Sequence, residues 1–150
     1  MLVHFLSARL KINGTDEFTR ALREEVVPLL RKQKGFRAYD AFVVPNGTEA
    51  AALSFWEKAE DLEAYLLRGA FQVTLALAHA MEGVPKYHTG EISEATFLAI
   101  EELRRMADVV VRAPRLQVYA VPRPAFERIA GSVAASPISA SRTVDGGQRT

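Results

Sequence analysis

Few side chains in this sequence suit acid–base or ligand chemistry, and they lie far apart along the chain. His4 sits in the opening segment LVHFLSARL, on the same side of an alternating pattern as Leu2, Leu6 and Ala8. An imidazole in apolar surroundings can serve as a base, because modest shifts carry its pKa across neutrality. It can equally be a partly buried histidine satisfied by a backbone partner. Tyr39 and Tyr65 each carry a phenol on an apolar body. Tyr65 falls on an apolar helical stripe, where its hydroxyl could orient a substrate hydroxyl or simply pack. Asp40 and Glu91 are strand carboxylates; a buried one could act as a base with a raised pKa, and hydrogen bonding at an edge or interface is the competing reading. His79 and Glu82 are three apart, a geometrically possible metal pair, but one pair does not make a site. His88 alternates with Tyr87, so only one of them can face a pocket, and both read as structural. The absence of cysteine excludes disulfides, thiolate metal sites and a cysteine nucleophile. No Gly-x-Gly-x-x-Gly follows the first strand, no phosphate-binding loop is present, and no Ser-His-Asp order or paired carboxylate spacing suggests a hydrolase. The expectation is a site without metal or cofactor.

The elements that must position these residues can be read from periodicity. Residues 2–12 alternate, as a strand does, and the first half is apolar on both sides. Asn13-Gly14 turns the chain and Thr15 can cap a helix, with Asp16 and Glu17 where the helix dipole favours them. Phe18, Leu22, Val26, Leu29 and Leu30 form a helical stripe. Pro28 removes a hydrogen bond to Glu24 and predicts a kink, and Gly35 supplies a left-handed stop. Residues 36–44 and 50–56 read as strands joined by the turn Pro45-Asn46-Gly47-Thr48. The spacing predicts a second helix over 59–82, divided at Gly69 and stopped by Gly83 and Pro85. Residues 86–97 are then the fourth strand and its exit.

The order β-α-β-β-α-β predicts an α+β domain over residues 1–97, ferredoxin-like, with a four-stranded antiparallel sheet and both helices on one face. The other face would be bare. Val3 and Phe5 with their neighbours would form a large apolar patch there, and such patches mark interfaces, so a homodimer is expected. Residues 98–130 form a C-terminal extension: a helix over 98–112, an extended Arg115–Val121, and a short helical turn at 125–130. Its apolar residues are too many for a free tail, and docking on its own domain or on a neighbouring protomer is expected. GEISEATFLAI (90–100) echoes YAVPRPAFERI (119–129), with Ile92, Phe97 and Ile100 matching Val121, Phe126 and Ile129. The echo suggests that the later segment pairs at a free sheet edge. From Gly131 the composition turns to Ser, Ala, Gly and Arg, and residues 131–150 are expected to be disordered.

The net charge of the 150-residue chain is +1, and the basic residues form no stripe, which argues against nucleic acid as a partner. No apolar run approaches a membrane span, and the N-terminal MLVHFLSARLK lacks the marks of a signal peptide. A cytoplasmic protein is the default expectation.

The stretch EEVVPLLRKQKGFRAYDAFV, followed by SFWEKAEDLEAYL, resembles the antibiotic biosynthesis monooxygenase family of dimeric α/β barrel proteins. The shared elements are the strand-helix start, the Lys34-Gly35-Phe36 exit from the first helix, and a strand ending in Trp56-Glu57 before an acidic helix start. The resemblance covers about residues 1–97. It implies a homodimer whose sheets face each other, with a ligand cavity in each protomer between sheet and helices. Catalytic members oxygenate electron-rich quinols, polyphenols or anthrones without metal or flavin, because the deprotonated substrate itself reduces dioxygen. On that layout His4 and Tyr65 are the candidate catalytic residues. Trp56 at the pocket mouth, Tyr39, Leu6 and Leu22 are the candidate substrate contacts, for a small aromatic or quinone-like ligand. The alternative is a non-catalytic dimeric binding or stress-related protein on the same scaffold. Haem-degrading relatives place an Asn, a Trp and a ligating His where this chain has Ala8, Tyr65 and Leu75. None matches, so haem oxygenation is not expected.

Overall fold

The computed structural model describes residues 2–45 and 47–131, with the backbone of 132–134. The chain runs β1 (Leu2–Leu10), α1 (Thr15–Ala21), a π-helical turn (Leu22–Val26), α2 (Val27–Arg31), β2 (Phe36–Val43), β3 (Glu49–Trp56), α3 (Ala59–Arg68), α4 (Ala70–Leu77), β4 (Met81–Glu91), α5 (Glu94–Met106), β5 (Asp108–Ala113), β6 (Leu116–Ala120) and α6 (Arg123–Ala134). Six strands form one sheet in the order β4-β1-β3-β2-β6-β5. The first four are antiparallel neighbours, the ferredoxin-like arrangement. β6 then pairs parallel to β2, and β5 returns antiparallel to β6.

Local chemistry explains the elements of the first half. The break expected at Pro28 takes the form of a π turn: the Val27 N–H reaches back five residues to the Leu22 carbonyl, and Pro28 enters the first turn of α2, where no donor is needed. Gly35 has φ +84°, and a Cβ there would lie 2.6 Å from the Asp61 Cβ. Glycine at this position therefore lets the exit of α2 sit against the start of α3. Gly69 divides the second helical segment into α3 and α4.

Boundaries in the second half differ from the sequence reading. The helix expected to reach residue 82 ends at Leu77, and β4 begins at Met81. Gly83 and Pro85 are not helix stops; they lie in an outer strand, where a missing backbone donor can face away from the sheet. The helix expected over 98–112 spans 94–106, capped by the Ser93 side chain, which accepts from the Thr96 N–H at 3.1 Å. Val109, Val110 and Val111 belong to β5: a β-branched run, apolar at helical spacing but stiff at χ1, favours the strand.

Two cores result, one on each face. Helices α1–α4 and the π turn bury Phe18, Leu22, Val26, Leu30, Leu62 and Leu77 against the first face. Helices α5 and α6 bury Ile100, Leu103, Phe126 and Ile129 against Val3, Phe5, Phe42, Leu53 and Phe55 on the second. Val3 and Phe5, expected on a bare face, are 0% and 2% exposed. The second face is closed by the same chain, because a fully buried side chain of this size is worth about 1.5–3 kcal/mol over leaving it in water. The patch argument for a homodimer is corrected accordingly. A polar tie fixes α5 there: Arg104 donates from Nε to Asp40 Oδ2 at 3.0 Å, again from its terminal nitrogen, and to Glu101 at 2.6 Å. The echo between residues 90–100 and 119–129 corresponds to the entries into α5 and α6, where Ile100 and Ile129 both enter the second core. The residues expected to be disordered begin at 131; α6 continues through Ala134, and 135–150 lie outside the described residues.

Candidate active site

The register of the sheet assembles the site. His4 on β1 is opposite Thr89 on β4 and Ser54 on β3, and Ser54 is in turn opposite Tyr39 on β2. One row across four strands therefore presents Thr89, His4, Ser54 and Tyr39 on the face covered by α3 and α4. In the next row Leu6 is opposite Tyr87 and Ala52. Tyr65 from α3, with Val73 and Thr74 from α4, closes the space above. The small side chain of Ala52 leaves room in the floor. The enclosed cavity has a free volume of about 10 Å³, space for roughly one water molecule.

His4 is held on three sides. Its Nδ1 lies 2.9 Å from Thr89 Oγ1, its ring stacks on Tyr87 at 5.2 Å and 18°, and it meets the edge of Tyr65 at 6.1 Å and 74°. Burial lowers its pKa from 6.5 to about 4, so the imidazole is neutral at pH 7. In the tautomer whose Nδ1–H donates to Thr89 Oγ1, Nε2 is the nitrogen left to accept a proton. Burial also raises the phenols of Tyr39 and Tyr65 well above the usual range, and an ionised Tyr65 or Tyr87 would raise Tyr39 further. The two phenols remain protonated and act as hydrogen-bond donors.

Four of the six side chains expected at the site line this cavity: His4, Leu6, Tyr39 and Tyr65. Trp56 stands one layer behind. It stacks on Tyr65 at 4.8 Å and 27°, meets Phe36 edge-on at 5.7 Å, and donates from Nε1 to Ser54 Oγ at 2.9 Å. Its role is to fix Tyr65 and Ser54. Leu22 is fully buried in the first core and does not line the cavity. His79 is exposed, His88 leans on Phe5 beneath the opposite face, and Asp40 points to that face as well. Among the described residues no group of three His, Asp or Glu side chains could hold a metal ion.

The sequence reading missed Thr89, Ser54 and Thr74 and gave Tyr87 only a structural role. Alternation does place Tyr87 and Thr89 on one face. Placing them beside His4 requires the β1–β4 register, which the late expected start of that strand obscured.

Residues 1–77 match the model of the family described as antibiotic biosynthesis monooxygenase. The chain belongs to this family. Solved structures share the fold at low identity. A candidate antibiotic biosynthesis monooxygenase of Bordetella bronchiseptica is 12% identical with a TM-score of 0.53, covering 61% of this chain and 96% of its own. A Streptomyces coelicolor monooxygenase in complex with nanaomycin D is 15% identical with a TM-score of 0.51, covering 61% and 88%. A candidate antibiotic biosynthesis monooxygenase of Deinococcus radiodurans is 17% identical with a TM-score of 0.51, covering 63% and 94%. No curated protein matches the sequence. The antibiotic biosynthesis monooxygenase match ends with α4, so Tyr87, Thr89 and the whole of α5–α6 lie beyond it. No helix among the described residues is long and apolar enough to cross a membrane.

Proposed function

We propose that this chain is a cofactor-independent monooxygenase-like enzyme acting on a small aromatic or quinol substrate. The observation that carries the reading is the convergence of His4, Tyr39 and Tyr65, far apart in sequence, on one enclosed cavity between sheet and helices. His4, neutral through burial, takes a proton from the substrate hydroxyl or activated carbon at Nε2. Tyr39 and Tyr65, kept protonated, donate hydrogen bonds to the oxyanion that forms. The resulting anion is the reductant for dioxygen: one oxygen atom enters the substrate, the other leaves as water, and the substrate supplies the electrons. The closed cavity keeps bulk water from the intermediate. Oxygen uptake with a panel of quinols and anthrones tests this, using the wild type beside His4→Ala and Tyr65→Phe. Turnover that falls at least about tenfold in either variant supports it, the scale expected when a positioned acid–base or donor group is removed. No oxygen uptake across the panel sinks it.

A second reading, a non-catalytic small-molecule-binding protein, is favoured by one observation: the cavity as it stands has room for about one water molecule rather than a ring. Binding of a phenol without oxygen consumption would select it. The homodimer remains a proposal on the family likeness alone. With the second sheet face buried under α5 and α6, association has to use other exposed apolar groups, such as Leu67, Phe71 and Leu75, or displace α5 and α6. Sedimentation equilibrium at micromolar concentration reads the outcome, and a monomer would overturn the proposal.

A further inference from the structure

Tyr87 is the one ring at the cavity supplied by an outer strand, and its surroundings are those a bound phenol would need. One face stacks on the His4 imidazole at 5.2 Å and 18°. Its hydroxyl is 2.8 Å from Thr74 Oγ1 on α4. His4, Tyr39, Tyr65 and Val73 are buried, whereas Tyr87 and Thr74 are half-buried, so the cover between cavity and solvent is thin between β4 and α4. The rim is carried by an outer strand and a short helix. β4 is an outer strand paired only with β1, and its register shifts between Ser7 and Arg9. α4 is a helix of eight residues that follows Gly69 and carries exposed Phe71 and Leu75 on its outer side.

We infer that Tyr87 is an internal place-holder for a single-ring phenol: the Tyr87–Thr74 hydrogen bond closes the cavity, and a ligand enters by displacing the Tyr87 ring and adopting its contacts. This rests on the proposed reading of the cavity and deepens it by naming the substrate class. The displaced volume is that of one phenolic ring, which reconciles a cavity of about 10 Å³ with an aromatic ligand. The incoming ring stacks on His4, and its hydroxyl takes the Thr74 hydroxyl as partner. A ring held there sits beside the Tyr39 and Tyr65 phenols as well as the His4 imidazole.

The test uses the full chain, phenol as probe, and the fluorescence of Trp56, the sole tryptophan, which stacks on the cavity residue Tyr65. Tyr87→Ala empties the slot and should bind phenol at least about tenfold more tightly than wild type, since the internal competitor is gone. Thr74→Val keeps the ring but breaks its hydrogen bond, and phenol should associate about five- to tenfold faster in stopped flow. Toluene should bind Tyr87→Ala more weakly than phenol, because it leaves the Thr74 hydroxyl unmatched. Equal phenol affinity in wild type and Tyr87→Ala overturns the place-holder role, and so does toluene binding as tightly as phenol. Thr74→Val also covers the case in which Tyr87→Ala fails to fold: an association rate within twofold of wild type overturns the gate. The two readings fail separately. Phenol binding in Tyr87→Ala with no oxygen uptake on any quinol leaves the place-holder standing and removes the enzyme. Quinol turnover in wild type without phenol binding in the variant does the reverse.

Discussion

Replacing Ile129 by alanine tests whether the C-terminal extension is part of the folded unit. Ile129 is 1% exposed on α6, within the core formed by Val3, Phe5, Phe42 and Phe55. Removing its three outer carbons forfeits about 0.8 kcal/mol for each buried methylene-sized group, roughly 2.4 kcal/mol of transfer free energy. Incomplete collapse of the gap adds to this, and buried Ile→Ala changes span about 2–5 kcal/mol. Close to 3 kcal/mol is expected here, because α6 packs by one face and can settle inward. For a domain of this size that loss corresponds to a fall in Tm of about 10 °C. The assay is urea unfolding followed by Trp56 fluorescence, which reports from the first core on the other side of the sheet. If both cores unfold as one unit, Trp56 reports the loss, with the midpoint lowered and the m-value unchanged. Ile12→Ala is the control, since Ile12 is 82% exposed and should change stability by less than about 0.5 kcal/mol. An Ile129→Ala midpoint indistinguishable from that control would refute the assignment of α6 to the core.

Three further outcomes are expected. His4 is held at about 4 by burial against 6.5 in the unfolded chain, so the unfolded state takes up the proton first. Stability is therefore unaffected by this group above 6.5 and falls as pH drops from about 6.5 to about 4, by roughly 3 kcal/mol in all; His4→Gln should flatten that limb of the pH–stability curve, and an unchanged slope would contradict it. Arg104→Met leaves the Asp40 carboxylate, 8% exposed, without its partner, and should cost about 3 kcal/mol by chemical denaturation, at the lower end for broken buried pairs because Arg104 itself is 26% exposed. Asp40→Leu combined with Arg104→Met should recover much of that loss; a double variant no more stable than the single one would show that the pair does more than neutralise charge. Gly35→Ala combines φ +84° with a Cβ 2.6 Å from the Asp61 Cβ and should cost about 2 kcal/mol or more, whereas Gly83→Ala, at φ +79° with nothing within 4 Å, should show only the backbone strain of about 1 kcal/mol. Equal thermal shifts for the two would mean that the approach to Asp61 is relieved without strain.

By itself the sequence determined the first half of the molecule and the identities of four cavity residues. Alternation in residues 2–12 put His4 and Leu6 on one face, and the 3.6-residue stripe through Phe18, Leu22, Val26, Leu29 and Leu30 named the buried side of the first helix. Gly35 marked the exit from the first helix by its own conformational freedom, and resemblance to the family marked the Trp56-Glu57 entry into the second. These are short-range properties: side-chain period and glycine conformation are settled within a few residues. Only the tertiary structure decided what lies opposite what. His4 and Thr89 are 85 residues apart, and no local pattern states that they are neighbours; the β1–β4 register does. The same register brings Tyr87 over His4 and gives the site a ring that alternation alone could not assign. Leu22 and Trp56 show the converse. Leu22 was placed on the apolar stripe of the first helix and Trp56 at the pocket mouth by family resemblance, but neither periodicity nor resemblance says which part of a face bounds a cavity and which is packed solid. The fate of the second sheet face was likewise a tertiary matter. Val3 and Phe5 announced that something apolar must cover them, and whether that was a partner or the chain's own α5 and α6 depended on where residues 94–134 return. The valine run at 109–111 lay at the boundary between these levels, apolar at helical spacing yet β-branched, and pairing with β6 resolved it into the strand that completes the sheet.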